Sequence, residues 1–299
     1  MSGTDTNIRV TQTQAGRNAA ADLTHLPWTS PSAGSFAPCV RDSNVQLTYL
    51  ALERRAAACA EQLSALGIRA GDVIAIMLPN SVPLLVAMLA AWRIGAAVTP
   101  INPTFTAREL AYQLSDSGAA LLIAADAPAH DLPQLRPSEF VTTPAAEITT
   151  PDIRPDAIAL LVYTSGSTGQ PKGVMLDHAN LSAMASSLVT HVGMGVNDQA
   201  LLVLPLFHVN SLCVSFLAPI SAGGSVSILE RFAPDTFLAA IEHYRPTYFS
   251  AVPAIFARLA DLPAERMPHG TALRFAICGA APATSELLAT RSMATPDGG

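Results

Sequence analysis

Lysine is almost missing from this chain. Of 299 residues, 17 are Lys or Arg, and Lys172 is the single lysine among them. Charge of either sign is scarce, at 13% Asp, Glu, Lys and Arg, and the net charge is −6. A nucleic-acid partner requires a basic stripe, and the sequence has none. Cysteine is limited to Cys39, Cys59, Cys213 and Cys278, with no Cys-x-x-Cys pair. That spacing argues against a zinc site and against a secreted disulfide framework. Long apolar runs are also lacking. No Asp, Glu, Lys or Arg occurs between Asp198 and Glu230, yet Pro205, His208, Asn210, Pro219 and Gly223-Gly224 interrupt that interval. It therefore holds no unbroken stretch of about 20 apolar residues, the length of a spanning helix. The run Val82 to Trp92 is apolar but short, and Arg93 closes it. Met1 to Arg17 is polar, without the apolar centre of a secretory signal, so the cytoplasm is the expected location.

What is present is apolar and patterned. Half of the residues are hydrophobic and the mean hydropathy is +0.34, which excludes disorder and coiled coil. The length suits one large domain or two ordinary ones, with a core that needs neither metal nor disulfide. Residues 1–45 are rich in Ser, Thr, Ala and Pro and read as an irregular arm. Beyond them, helix and strand signals alternate. Thr48 can cap a helix that stops before Gly67. Val73 to Leu78 is a continuous apolar run halted by Pro79-Asn80, the pattern of a strand buried on both faces. Pro83 suits the first turn of a helix that ends before Gly95. Thr106-x-x-Glu109 is a capping box for a third helix that ends at Gly118. Further strands are expected over residues 119–125, 157–163, 174–176, 200–206, 225–229, 247–251 and 273–278. Alternation of this kind predicts an α/β fold with largely parallel pairing. The polar, Pro-rich stretch 128–155 is a possible subdomain seam.

One loop carries chemistry. Tyr163-Thr164-Ser165-Gly166-Ser167-Thr168-Gly169-Gln170-Pro171-Lys172-Gly173 follows an apolar strand and precedes a short one. Its hydroxyls, bare backbone N–H groups and single cation can wrap a polyphosphate. It fits neither a Walker A loop nor a dinucleotide fingerprint. The lone lysine stands here, where a compact charge and an arginine are not equivalent. Asp177-His178 reads as a solvated helix start rather than an acid–base pair.

At these residues the sequence resembles the adenylate-forming (AMP-binding) superfamily, and within it the acyl-CoA synthetases and fatty-acid–CoA ligases. The likeness runs from Leu47 to Leu288. It takes in Gly71-Asp72-Val73-Ile74-Ala75, Leu78-Pro79-Asn80, Gly95-Ala96-Ala97, Pro100-Ile101-Asn102-Pro103, Pro205-Leu206-Phe207-His208 and Gly279-Ala280-Ala281-Pro282. The resemblance implies layered sheets flanked by helices, the large N-terminal domain of that fold, over residues 46–288. It implies ATP with Mg2+, CoA as co-substrate, and a carboxylic acid that is adenylated and then passed to the thiol. By resemblance, Thr164, Ser165, Gly166, Ser167, Thr168, Gly169 and Lys172 would hold phosphates. His208 would stand beside the acyl and adenylate site, and Gly279, Ala280, Ala281 and Pro282 would line the adenine and acyl pockets.

The family's Tyr-Gly-x-Thr-Glu motif, whose Glu helps to hold Mg2+, has no counterpart in this sequence. Neither do its ribose-binding Asp and its small C-terminal domain with a catalytic Lys. Residues 289–299 depart from the family pattern. The expectation is a truncated form, inactive alone unless a separate chain supplies the remaining half. The other reading is a non-catalytic remnant or weak nucleotide-binding module. A fatty acid is the expected substrate, with an aryl or short-chain acid as the alternative.

Overall fold

Strands that are apolar on both faces need cover on both sides, and this chain provides it with two sheets and three helical layers. The structure, a computed structural model, describes residues 23–164, 171–266, 268 and 270–279. A short 3-10 turn at Pro27–Thr29 leads to β1 (Pro38–Arg41), which pairs antiparallel with β2 (Gln46–Thr48). Helix α1 (Tyr49–Ala65) starts on Thr48, whose side chain accepts from the Ala51 N–H. Strand β3 (Val73–Met77), helix α2 (Val82–Arg93) and strand β4 (Ala97–Pro100) form one β-α-β unit. Helix α3 (Ala107–Ser117) opens on the reciprocal Thr106–Glu109 box and closes at Gly118, whose φ of +63° suits a residue without Cβ.

Strands β5 (Ala119–Ala124) and β6 (Gln134–Leu135) come next, followed by the antiparallel hairpin of β7 (Ile158–Thr164) and β8 (Lys172–Asp177). Asp177 caps α4 (His178–Val192) by accepting from the Asn180 N–H at 2.6 Å. After β9 (Gln199–Leu202), α5 (Val209–Leu212), a π turn at Cys213–Leu217 and α6 (Ala218–Ser221) run on without a break. The last described elements are β10 (Ser225–Ile228), α7 (Pro234–Tyr244), β11 (Tyr248–Ala251), α8 (Pro253–Ala260) and β12 (Phe275–Cys278).

The first sheet has the order β12-β11-β9-β10-β1-β2 and the second β6-β5-β3-β4-β7-β8. Each is parallel except for one antiparallel edge strand, β2 or β8. Side-chain alternation along a strand sorts the core into layers. Ile74, Ile76, Leu202 and Val226 join one central core with α1 and α2, whereas Ala75 and Met77 face Leu110 and Leu114 of α3. On the far side, Leu201 and Phe249 pack against Phe237 and Ile241 of α7. Helix α2 is apolar all round because it lies between the sheets, with every residue from Leu84 to Trp92 buried. At about 1.5–3 kcal/mol for each large side chain buried, such a helix needs no intrinsic cap to persist.

Three expectations change. The arm read as irregular up to residue 45 contains β1, whose Cys39 and Val40 are buried and which pairs parallel with β10. A four-residue strand opened by Pro38 is too short to show a period. The strand expected over 200–206 ends at Leu202, since Asn80 and Ser211 of α5 claim the backbone beyond it. His178 is not solvated. It is buried at the start of α4, its Nδ1 3.1 Å from Nε2 of the equally buried His25, with the Trp92 ring edge-on to both. Within the stretch 128–155, β6 joins the second sheet and residues 139–146 lie over α1: the Gln62 side chain donates to the Glu139 carbonyl and accepts from the Val141 N–H.

Candidate functional site

In parallel sheets, ligands collect beyond the carboxyl ends of the strands. Here the carboxyl ends of both sheets meet at Asn80, just after β3. Its buried amide donates to the Leu204 carbonyl (3.0 Å) and the Leu229 carbonyl (3.2 Å), beyond β9 and β10. Its Oδ1 accepts from the Leu206 N–H at 2.8 Å. One side chain thus partners three backbone groups, two of them buried, and fixes the turn Pro205-Leu206-Phe207-His208 against the other sheet.

The β7–β8 hairpin emerges at the same end of the second sheet. Thr164 and Lys172 stand opposite each other at its mouth, and both are exposed. Tyr163 and Gly173 form the next pair inward. A Cβ on Gly173 would lie 3.2 Å from Cζ of Tyr163, so glycine is what lets that ring cross the strand. The Tyr163 hydroxyl donates to Oδ2 of Asp116 at 2.6 Å, and burial with that carboxylate raises its pKa, keeping it protonated. The Tyr112 hydroxyl donates to the Pro171 carbonyl at 2.8 Å. Phe105, Arg108, Glu109, Tyr112, Tyr163 and Pro171 line a groove of about 240 Å³ beside the mouth.

His208 sits at the N-terminal boundary of α5, exposed, its ring centroid 4.5 Å from that of Phe207. Partial burial lowers its pKa, which favours the neutral imidazole. Two residues on, the buried Nδ2 of Asn210 has no hydrogen-bond partner among the described residues. A Cβ on Gly279, just past β12, would come within 3.2 Å of that amide. His208, Asn210 and Gly279 therefore share one corner, at the carboxyl ends of β9 and β12. The structure ties this corner to β3 through Asn80, and the parallel sheet places the hairpin mouth at the same end.

Among the described residues no three His, Cys, Asp or Glu side chains converge as metal ligands. None of the described side-chain groups would hold a divalent cation without oxygens supplied by a ligand. No helix among them is long and apolar enough to cross a membrane.

Residues 32–296 match the family described as AMP-binding enzyme. The chain belongs to that family. It is 35% identical over 258 residues to a feruloyl-CoA synthase of Amycolatopsis, covering 84% of this chain and 52% of that protein. It is 30% identical over 276 residues to 4-coumarate-CoA ligase 1 of Narcissus pseudonarcissus, covering 84% and 50%. Among solved structures it resembles ATP-bound MatB from Rhodopseudomonas palustris, with a TM-score of 0.78 and 26% identity. That match covers 90% of this chain and 56% of MatB. The chain spans about half the length of the curated relatives it matches, and its fold is that of the N-terminal domain of adenylate-forming enzymes.

Of the residues expected to act, Thr164, Lys172, His208 and Gly279 are described, at the places given above. Ser165, Gly166, Ser167, Thr168, Gly169, Ala280, Ala281 and Pro282 lie outside the described residues, as do residues 1–22 and the tail 289–299. Sequence reasoning missed Asn80, Asn210, Tyr112 and Asp116. The Pro79-Asn80 break and the asparagine in a charge-free apolar run were the available signals for the first two.

Proposed function

We propose that this chain is the ATP-binding and acid-activating part of an acid–CoA ligase. The observation that carries this reading is the placement of the only lysine. Lys172 faces Thr164 across the mouth of a hairpin whose connecting residues are rich in hydroxyls and glycine. In the proposed first step, a carboxylate oxygen attacks the α-phosphorus of ATP and pyrophosphate leaves with the electron pair of the broken P–O bond. Lys172 and the Thr164 hydroxyl meet the β- and γ-phosphates, where negative charge builds on the leaving group. In the second, a CoA thiol adds to the acyl carbon of the adenylate, AMP departs, and the thiol proton passes to solvent. His208, kept neutral, offers a ring N–H or lone pair beside the acyl group without competing as a cation for the carboxylate. Gly279 leaves room for a ligand against the backbone, and Ala280, Ala281 and Pro282, which follow it in sequence, are proposed as further contacts of the adenine and acyl groups.

For the acid we favour an aryl carboxylate over the fatty acid expected from composition. Feruloyl and 4-coumaroyl groups are those that the relatives' names carry. An apolar core accounts for the hydropathy without a lipid substrate, since the apolar residues fill five layers of fold. The test is calorimetric binding of ferulate, 4-coumarate, benzoate and octanoate, each with and without ATP. Aryl acids should bind more tightly with ATP present, and His208→Ala should weaken them. Preference for octanoate would overturn the aryl assignment, and absence of nucleotide binding would overturn the ligase reading.

A further inference from the structure

The mouth of the β7–β8 hairpin lies beyond the register that β7 shares with its own sheet. The register of β7 with β4 is a single pair, Val98 opposite Leu160, and β8 is the edge strand. From Leu161 to Thr164 and from Lys172 to Met175, the two arms pair with each other. A two-stranded ribbon alone is at best marginally stable in water. Helix α3 supplies what the sheet does not. Tyr112 and Asp116 are four residues apart and so share one face of the helix. Tyr112 donates to the carbonyl of Pro171 on the β8 arm, and Asp116 accepts from Tyr163 on the β7 arm. The two tyrosine rings meet edge to face, with centroids 6.5 Å apart at 85°. The platform is itself fixed by the Thr106–Glu109 box and by the buried Gln113 amide, which donates to Thr99 Oγ1 at 2.8 Å.

We propose that Tyr112 and Asp116 are positioning residues, which clamp both arms of the hairpin so that Lys172 is presented to a polyphosphate in one place. This rests on the reading of Lys172 as a phosphate contact. A cation on a flexible stem gains affinity when its backbone is held in advance, because less ordering is left for the binding step. Gly173 fits the same purpose, since a Cβ there would stand 3.2 Å from Cζ of Tyr163 and press on the ring that bonds Asp116.

The test combines amide hydrogen exchange at residues 173–175 with calorimetric ATP binding, on wild type, Tyr112→Phe, Asp116→Ala and Asp116→Asn. Tyr112→Phe keeps the ring and removes the donor, and Asp116→Asn keeps an acceptor without the charge. The expected result is exchange faster, and ATP affinity weaker, by about three- to tenfold in Tyr112→Phe and Asp116→Ala. Asp116→Asn should recover at least half of the loss, with melting temperatures little changed throughout. Unchanged exchange and affinity in the first two variants would overturn the proposal. So would tighter ATP binding by Asp116→Ala, which would make Asp116 a repelling charge and not a brace. If the wild type binds no ATP, the phosphate reading falls, and the exchange rates alone decide whether the clamp exists.

Discussion

Acid should destabilise this protein through one buried pair of imidazoles. His25 and His178 are both buried, and burial pushes their pKa values down to about 3 and about 4. Nε2 of one faces Nδ1 of the other at 3.1 Å, a geometry that needs a single hydrogen between them. If both rings charged, two N–H donors would face each other. In the unfolded chain each ring titrates near 6.5. Between pH 6.5 and the folded values, the unfolded state therefore binds more protons, and stability falls as pH falls. At pH 5 this amounts to roughly 2 kcal/mol for each ring, or roughly 4 for the pair, relative to pH 7.5. A domain has only about 5–15 kcal/mol in all. The urea midpoint should accordingly drop by roughly 1–2 M between pH 7.5 and pH 5.0. In the double variant His25→Leu/His178→Leu, which cannot titrate and keeps a similar volume, most of that drop should vanish. Equal midpoints at the two pH values in the wild type, or an undiminished drop in the double variant, would refute the reasoning.

Other consequences follow from single side chains. Asn80→Ala leaves the Leu206 N–H and the Leu229 carbonyl without a partner and the Leu204 carbonyl with the Ser211 hydroxyl alone, so chemical denaturation should show a loss of about 2–3 kcal/mol. Asn80→Asp should not rescue it, because a carboxylate has no N–H to give. Thiol labelling of the native protein should modify Cys278 first: Cys39, Cys59 and Cys213 are buried, with pKa values pushed well up, the latter two to about 12. Fast labelling of all four thiols would contradict the packing around α1 and the π turn.

Much of the fold was legible because local signals and tertiary demands agree. Thr48, Thr106 and Asp177 each cap the helix that their position suggests, and Gly118 ends α3 in the left-handed conformation. The uninterrupted apolar run of β3 announced a strand with helices on both sides, and it has them. β1 was hidden because four residues carry no readable period. Hydrogen bonds over long sequence separation were hidden for a different reason. Asn80 meets residues more than 120 positions away, and His25 meets His178 across 153. Nothing local marks such a partner. At the candidate site, the glycine- and hydroxyl-rich loop announced itself by composition. The tyrosines bracing it read only as ordinary helix and strand residues until the hairpin was seen to outrun its sheet.

Titration of ATP and of pyrophosphate into wild type, Lys172→Ala and Lys172→Arg tests the phosphate site most directly. A charge-assisted contact is worth about 1.5–3 kcal/mol, so Lys172→Ala should lose roughly tenfold or more in affinity, and added salt should narrow the gap. Lys172→Arg should regain only part of the loss, because a planar guanidinium does not replace a compact ammonium at a phosphate. Three proteins that bind ATP measurably and alike would contradict the account: the hairpin mouth would not be the phosphate site.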